Sequence, residues 1–142
     1  MEISTRLNKI DFVYHLADLH FPKNIVSDEY TLDRYNAMIK NILNNAAAKT
    51  KTTVAVITGD LLNNNDQGTP DLIKMCIKFI NKLADIMPVI IIAGNHDYNH
   101  TTGKTWFDVL DAATSEDAHF LTNSGWYILT AKNTRLLIGF QS

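Results

Sequence analysis

Three apolar runs in the first hundred residues each end in a short polar stretch. The runs are Phe12–Ala17, Val54–Thr58 and Val89–Ile92, and the stretches after them are Asp18–His20, Gly59–Asp60 and Gly94–Asp97. A short apolar run bounded by a turn signal indicates a buried strand. Ligands of open α/β sheets collect just beyond the carboxyl ends of such strands. We therefore expect the three polar stretches to meet at one edge of a sheet.

The segments between these runs have the periodicity of helices. Apolar residues recur every three or four positions over about residues 31–48, which predicts an amphipathic helix. Thr69–Asp71 supplies a cap candidate, a proline for the first position and an acid for the first turn of a second helix. The buried stripes of the two helices are expected at Leu32, Tyr35, Ile39, Ile42, Leu43 and Ala46, and at Leu72, Met75, Cys76, Phe79 and Leu83.

This order of elements predicts the α/β class, as a βαβαβ unit with a parallel sheet, flanking helices and right-handed crossovers. The first strand is expected at Ile10–Ala17 and has apolar residues on both faces, which is typical of a central parallel strand. Residues 1–9 are polar and predict an irregular lead-in. A short helix is expected within 104–113 and a short strand at His119–Leu121. A hairpin of Trp126–Thr130 and Leu136–Phe140 would begin a second sheet.

Composition narrows the classes of protein. The chain has 142 residues, 46% hydrophobic and 20% charged, which fits one soluble globular domain. A net charge of -2 argues against a broad nucleic-acid-binding surface, while a small basic groove or a separate holding partner stays open. The single cysteine, Cys76, excludes a disulfide framework and a Cys-rich metal site.

No apolar run approaches the roughly 18 residues of a membrane span, and no secretory signal pattern is present. We therefore expect an intracellular soluble protein, in the cytoplasm or with the nucleoid or nucleus, that has no membrane partner.

The polar stretches carry oxygen and nitrogen donors without thiolate. Such donors, here on Asp18, His20, Asp60, Asn95 and His96, suit Mn²⁺, Fe²⁺ or Zn²⁺. Each stretch alone has a structural explanation, such as a turn, but three of them at successive strand ends favour a metal site. Two ions roughly 3.5–4 Å apart can clamp the attacking and leaving oxygens of a phosphoryl displacement. A neighbouring histidine can protonate the leaving alkoxide.

The three stretches resemble the Asp-x-His, Gly-Asp and Gly-Asn-His-Asp/Glu blocks of the calcineurin-like metallophosphoesterases. The resemblance covers residues 11 to about 140. It implies the N-terminal part of an α/β/β/α sandwich with two divalent ions, Mn²⁺ by preference and Fe²⁺ or Zn²⁺ as alternatives. It also implies Asp18 and His20 on the first ion, Asp60 as the bridge, Asn95 on the second ion, and His96 as the catalytic histidine that contacts the phosphate.

The later blocks of that family, a separate His and Gly-His-x-His, are absent from the sequence. We therefore expect residues 1–142 to be a metallophosphoesterase domain truncated at its C-terminus. The remaining histidines do not replace the absent blocks. His15 is expected to be a core or sheet residue, His119 to be structural, and His100 to be a candidate for lining the pocket.

The surroundings of the blocks favour one branch of the superfamily. Asp60 is followed by Leu61–Asn63, and the third block ends in Asp97, unlike serine/threonine phosphatases with Gly-Asp-x-x-Asp-Arg-Gly and Gly-Asn-His-Glu. The layout is most similar to Mre11/SbcD-type DNA-repair nucleases. That resemblance implies DNA or another phosphodiester as substrate, with a homodimer and an ATPase partner by family resemblance only. Asn63 stands where that group often has the His or Asp that supports the catalytic histidine, so Asn63 and Asp97 are expected to be supporting or substrate-side residues.

Two alternatives remain. One is a small-molecule phosphodiesterase or phosphatase of the same superfamily, because the blocks are shared. The other is an inactive metal-binding fragment, because the later blocks are absent.

Overall fold

The computed structural model describes residues 1–25, 27–48, 51–64, 68–99 and 101–141, and it confirms the α/β class. The elements in chain order are β1 (Glu2–Ser4), β2 (Phe12–Ala17), α1 (Glu29–Ala47), β3 (Thr53–Thr58), α2 (Pro70–Ile86), β4 (Val89–Ile92), a 3-10 turn (Asn95–Asp97), α3 (Phe107–Ala113), β5 (Ala118–Leu121), β6 (Gly125–Ala131) and β7 (Thr134–Phe140).

The main sheet has four parallel strands in the order β2-β3-β4-β5. The predicted βαβαβ unit is therefore confirmed. The central strand β3 is buried along most of its length, as its β-branched side chains favour. One face of the sheet, including Ala55, Ile57 and Ile91, packs against the three helices. Because β2, β3 and β4 pair in parallel, their carboxyl ends lie side by side at one edge of the sheet.

The second helix begins as its sequence predicts. The Thr69 hydroxyl accepts the N–H of Leu72 at 3.3 Å, and Pro70 is the first helical residue. The predicted stripe is buried at Leu72, Cys76, Phe79 and Leu83, while Met75 is only partly buried. No helix of the described ranges is long and apolar enough to cross a membrane.

The predicted hairpin is confirmed, and it belongs to a second sheet in the order β1-β6-β7. This sheet covers the other face of the main sheet. Val54, Val56 and Ile90 of the main sheet pack there with residues such as Tyr127 and Leu129 of β6. The described part of the chain is therefore built from a helical layer, the parallel sheet and the smaller sheet.

Two expectations about the N-terminal part were wrong. Residues 1–9 are not wholly irregular, because β1 pairs in parallel with β6, with Glu2 opposite Ile128. The first strand of the βαβαβ unit begins at Phe12 and forms an edge of the described sheet. Its side chains Phe12 and Val13 are 59% and 48% exposed. An apolar run indicates a strand, but it does not say how many neighbouring strands will cover it.

Candidate metal centre

The carboxyl ends of the three strands meet at one edge of the main sheet. Thr58 lies between Ala17 of β2 and Ile92 of β4 in the strand register. Backbone hydrogen bonds continue beyond the strands, because the N–H of Asp18 donates to the Gly59 oxygen at 3.3 Å and that of Gly59 to the Ile92 oxygen at 3.0 Å. The prediction that the polar stretches meet is therefore confirmed.

Three predicted ligands, Asp18, His20 and Asp60, form a cluster at this edge. One ligand atom from each lies within 4.8 Å of those of the other two. His20 Nε2 is 3.8 Å from Asp18 Oδ1 and 3.8 Å from Asp60 Oδ2. These separations exceed hydrogen-bond lengths, but two ligands that each lie about 2.1 Å from a shared ion are themselves about 3–4 Å apart. The donors and their spacing therefore fit a divalent ion.

All three residues of this cluster have left-handed backbone. The φ angles are 54° at Asp18, 49° at His20 and 50° at Asp60. Non-glycine residues seldom adopt this region, although Asp tolerates it better than most. Strained backbone of this kind persists where surrounding contacts determine it, and it is concentrated at functional sites.

Gly94 allows the second and third blocks to approach closely. A Cβ at this position would lie 2.2 Å from Asp60 Oδ1, 2.4 Å from the Asp60 backbone nitrogen and 2.7 Å from the Gly59 Cα. The backbone of Gly94 is otherwise ordinary, with φ at -90°. Glycine is therefore required here because the two loops are in contact.

Asp60 and His96 are joined directly. Asp60 is 8% exposed, and its Oδ1 accepts the backbone N–H of His96 at 3.0 Å. The other carboxylate oxygen faces His20. The imidazoles of His20 and His96 pack edge to face, with 5.4 Å between ring centroids and 81° between planes. The predicted catalytic histidine thus lies beside the cluster.

Asp97 faces the protein interior. It is 1% exposed, and its carboxylate accepts N–H groups from Gly94 at 2.9 Å, Leu61 at 3.2 Å and Leu62 at 2.9 Å. Burial raises the pKa of Asp97, the three donors act in the opposite direction, and the charge of Asp60 adds to the rise. The carboxylate of Asp97, which we predicted to be a supporting or substrate-side residue, therefore braces two loops from the interior.

Asn63 lies in the loop after β3, Asn95 lies in the loop after β4, and both residues are exposed. Asn95 begins the 3-10 turn that contains His96. The backbone N–H of Asn63 donates to the Phe21 oxygen at 3.0 Å. Binding of the second ion by Asn95 and support of His96 by Asn63 stay predictions. His100 lies outside the described residues.

The other two histidines differ in their surroundings. His15, expected in the core or the sheet, lies in β2 but is exposed, and its Nε2 is 2.6 Å from Thr58 Oγ1. His119 of β5 is partly buried, its Nε2 has no hydrogen-bond partner in the described part of the chain, and burial lowers its pKa.

The residue that sequence patterns missed is Tyr35 of α1. Its hydroxyl donates to the backbone oxygen of His20 at 2.7 Å. Helical periodicity marks Tyr35 only as part of a buried stripe, and nothing local in the sequence indicates which backbone group its hydroxyl would reach.

Residues 13–138 match the family model of the calcineurin-like phosphoesterases. The chain belongs to this family. It is 30% identical over 126 residues to "Uncharacterized protein R555" of Acanthamoeba polyphaga mimivirus. This match covers 84% of this chain and 9% of that protein. It is 34% identical over 59 residues to "Putative phosphoesterase 078R" of Invertebrate iridescent virus 3. This match covers 39% of this chain and 17% of that protein. The chain thus spans only 9% and 17% of the length of these two relatives, and its Asp-His-Asp cluster agrees with divalent metal binding.

Proposed function

We propose that this chain contributes the metal centre of a phosphodiesterase of the Mre11/SbcD nuclease type, which hydrolyses phosphodiester bonds in DNA. The observation that carries the proposal is the cluster of Asp18, His20 and Asp60, whose ligand atoms lie within 4.8 Å of one another, with the His96 ring packed against His20. The cluster supports a divalent ion, and the adjacent histidine supplies a group that can transfer a proton.

In this proposal Asp18 and His20 hold one ion, Asp60 bridges two ions, and Asn95 holds the second. Asp60 Oδ1 already accepts the His96 N–H, whereas Oδ2 faces His20, so the carboxylate would present Oδ2 to an ion held beside His20. The ions, Mn²⁺ by preference, would neutralise charge on the phosphate and lower the pKa of the attacking water.

His96 acts as the general acid that gives a proton to the departing sugar oxygen. Its partial exposure leaves the ring accessible to a substrate, and the bond from its backbone to Asp60 keeps it at a fixed distance from the ligand cluster. Asn63 supports His96 through a hydrogen bond once substrate is bound. Proton transfer of this kind contributes typically about 10²- to 10⁴-fold to a rate.

The nuclease subtype is supported by the residues around the blocks. Gly59–Leu62 and the Asn-rich loop after it lack the Asp-Arg-Gly continuation of protein phosphatases, and Asp97 ends the third block. The net charge of -2 gives the chain little attraction for a phosphate backbone. By family resemblance only, we include a second copy of the chain and an ATPase partner among the components that would hold DNA, in an intracellular soluble assembly.

The test compares substrates and variants of the natural full-length polypeptide. With Mn²⁺ present, labelled single- and double-stranded DNA, a cyclic nucleotide, bis(p-nitrophenyl) phosphate and p-nitrophenyl phosphate are assayed side by side. We expect DNA cleavage that Asp60→Asn abolishes together with Mn²⁺ binding. His96→Gln should keep Mn²⁺ binding and lose about 10²-fold or more in turnover, whereas His119→Gln is the matched control and should keep both.

Three outcomes would change the proposal. Mn²⁺-dependent cleavage that survives in Asp60→Asn would reject this metal centre. Turnover of the cyclic nucleotide or the p-nitrophenyl esters without DNA cleavage would move the assignment to a small-molecule phosphodiesterase or phosphatase. Mn²⁺ binding without any turnover would move the assignment to an inactive metal-binding module.

A further inference from the structure

The imidazole of His20 lacks the side-chain support that metal-binding histidines usually have. Such histidines almost always donate their second ring N–H to a carboxylate, a carbonyl or water, and this bond fixes the ring. Here Nε2 faces the oxygens of Asp18 and Asp60. Nδ1 is buried and has no hydrogen-bond partner among residues 1–25, 27–48, 51–64, 68–99 and 101–141. The direction of the ring therefore depends on its edge-to-face packing against His96 and on the backbone that carries it.

That backbone is held on both sides of His20. The residue has a left-handed φ of 49°. Its N–H donates to the Asp60 oxygen at 2.9 Å, and its own carbonyl oxygen accepts the Tyr35 hydroxyl at 2.7 Å. The first bond is part of the contact between the metal-binding loops, whereas the second comes from helix α1.

Tyr35 is itself well placed to hold this carbonyl. Its ring packs against fully buried Phe21, which follows His20, with centroids 5.3 Å apart. A tyrosine hydroxyl has an ordinary pKa of about 10 and is protonated at neutral pH, so the group can donate. The ring contact and the hydrogen bond therefore act on two consecutive residues of the loop.

We propose that Tyr35 is a positioning residue for the metal ligand His20. Its hydroxyl keeps the His20 carbonyl in the orientation that the left-handed backbone requires, and the imidazole is thereby directed at the oxygens of Asp18 and Asp60. Without this bond the His20 backbone can relax towards commoner conformations, which turns the ring away from the carboxylates. The inference rests on the proposed function, in which His20 binds an ion.

The chain offers a matched control at the same interface. Tyr14 of β2 also donates its hydroxyl to a backbone oxygen, that of Ile42 in α1, at 3.3 Å. Tyr35→Phe and Tyr14→Phe each remove one hydroxyl and one hydrogen bond to a carbonyl, and each keeps the aromatic ring. Only the first bond ends on a residue of the metal cluster, so a merely structural effect should be similar in both variants.

The experiment measures Mn²⁺ binding by isothermal titration calorimetry, at a temperature where circular dichroism shows each protein fully folded. We expect Tyr35→Phe to raise the Mn²⁺ dissociation constant about tenfold, as loss of an outer partner of a metal ligand typically does. Tyr14→Phe should stay within about twofold of the wild type, because its bond stabilises packing alone. At saturating Co²⁺, the visible absorption of Tyr35→Phe should differ from that of the other two proteins, since it reports ligand geometry.

The outcomes separate this inference from the proposed function. Equal dissociation constants and equal Co²⁺ spectra for the two variants would overturn the role of Tyr35 and leave the metal centre intact. A wild-type protein that binds neither Mn²⁺ nor Co²⁺ would overturn the metal centre and the role of Tyr35 with it. If Tyr35→Phe does not fold, Tyr35→Met replaces it, since that side chain can still pack on Phe21 and has no hydrogen-bond donor, and the same comparison applies.

Discussion

The carboxylate of Asp97 accepts the backbone N–H of Leu62 at 2.9 Å, across 35 positions of sequence. This bond joins the loop of the third block to the loop that follows Asp60. Together with the bonds from Leu61 and Gly94, it makes one buried carboxylate the connection between the loop after β3 and the loop after β4.

Asp97→Asn should destabilise the protein. The amide offers one oxygen in place of two, and its NH₂ group would face backbone N–H donors in a buried place, which costs about 1–3 kcal/mol. Urea denaturation of the metal-free protein measures this loss. The exposed Asp33 of α1 provides the control, because Asp33→Asn should change stability by about 0.5 kcal/mol or less. Equal effects of the two substitutions would contradict the bracing role of Asp97.

Gly94→Ala should disturb the metal site through steric contact alone. The new Cβ would lie 2.2 Å from Asp60 Oδ1, so Asp60 must move and the Mn²⁺ affinity should fall. Gly103→Ala is the comparison, because its Cβ meets open space although the backbone is left-handed, with φ at 66°. That variant should lose roughly 1 kcal/mol of stability and keep the Mn²⁺ affinity. Calorimetric titration of both variants with Mn²⁺ shows whether a steric contact or a strained backbone lowers the metal affinity.

Mn²⁺ should stabilise the folded chain, and removal of the metal by a chelator should reverse the effect. At a free concentration 100 times the dissociation constant, one site adds about 2.7 kcal/mol to the free energy of unfolding. Asp18→Asn should lose most of this gain, because it removes a ligand of the cluster. Its metal-free stability should be kept or raised, since Asn tolerates left-handed backbone and the charge near Asp60 is gone. Thermal unfolding with and without Mn²⁺ measures the metal-free stability and the stabilisation by the metal. If Mn²⁺ raises the unfolding temperature of Asp18→Asn as much as that of the wild type, Asp18 is not a ligand.

His119 should make the protein less stable in mild acid. Burial lowers the pKa of its imidazole, so the folded state takes up a proton less readily than the unfolded state, whose pKa is near 6.5. The stabilising contribution is therefore complete above that value and is lost as the pH falls through it towards the folded pKa. Urea unfolding at pH 7.5, 6 and 5 should show a steeper loss for the wild type than for His119→Gln. Parallel losses would mean that another group causes the decline.

The sequence by itself determined the local features of the fold and the composition of the site. Three local features could be predicted from periodicity and turn chemistry, because each depends on residues that are close in sequence. They are the ends of the first strands, the start of α2 at the Thr69 cap and the β-branched strand β3. The same holds for the meeting of Asp18, His20 and Asp60, because parallel strands place their carboxyl ends at one edge. Asn95 and Asn63 remain predictions from the motif.

Only the tertiary structure decided which groups contact one another across the chain. β1 pairs with β6 more than a hundred residues away. The first apolar run forms β2, which pairs with β3 alone among the described strands and is therefore an edge strand. The inward carboxylate of Asp97 and the bond from Tyr35 to His20 likewise join distant segments. Periodicity indicates which face of an element is apolar, whereas the partner that satisfies a buried polar group is set by the packing of whole elements.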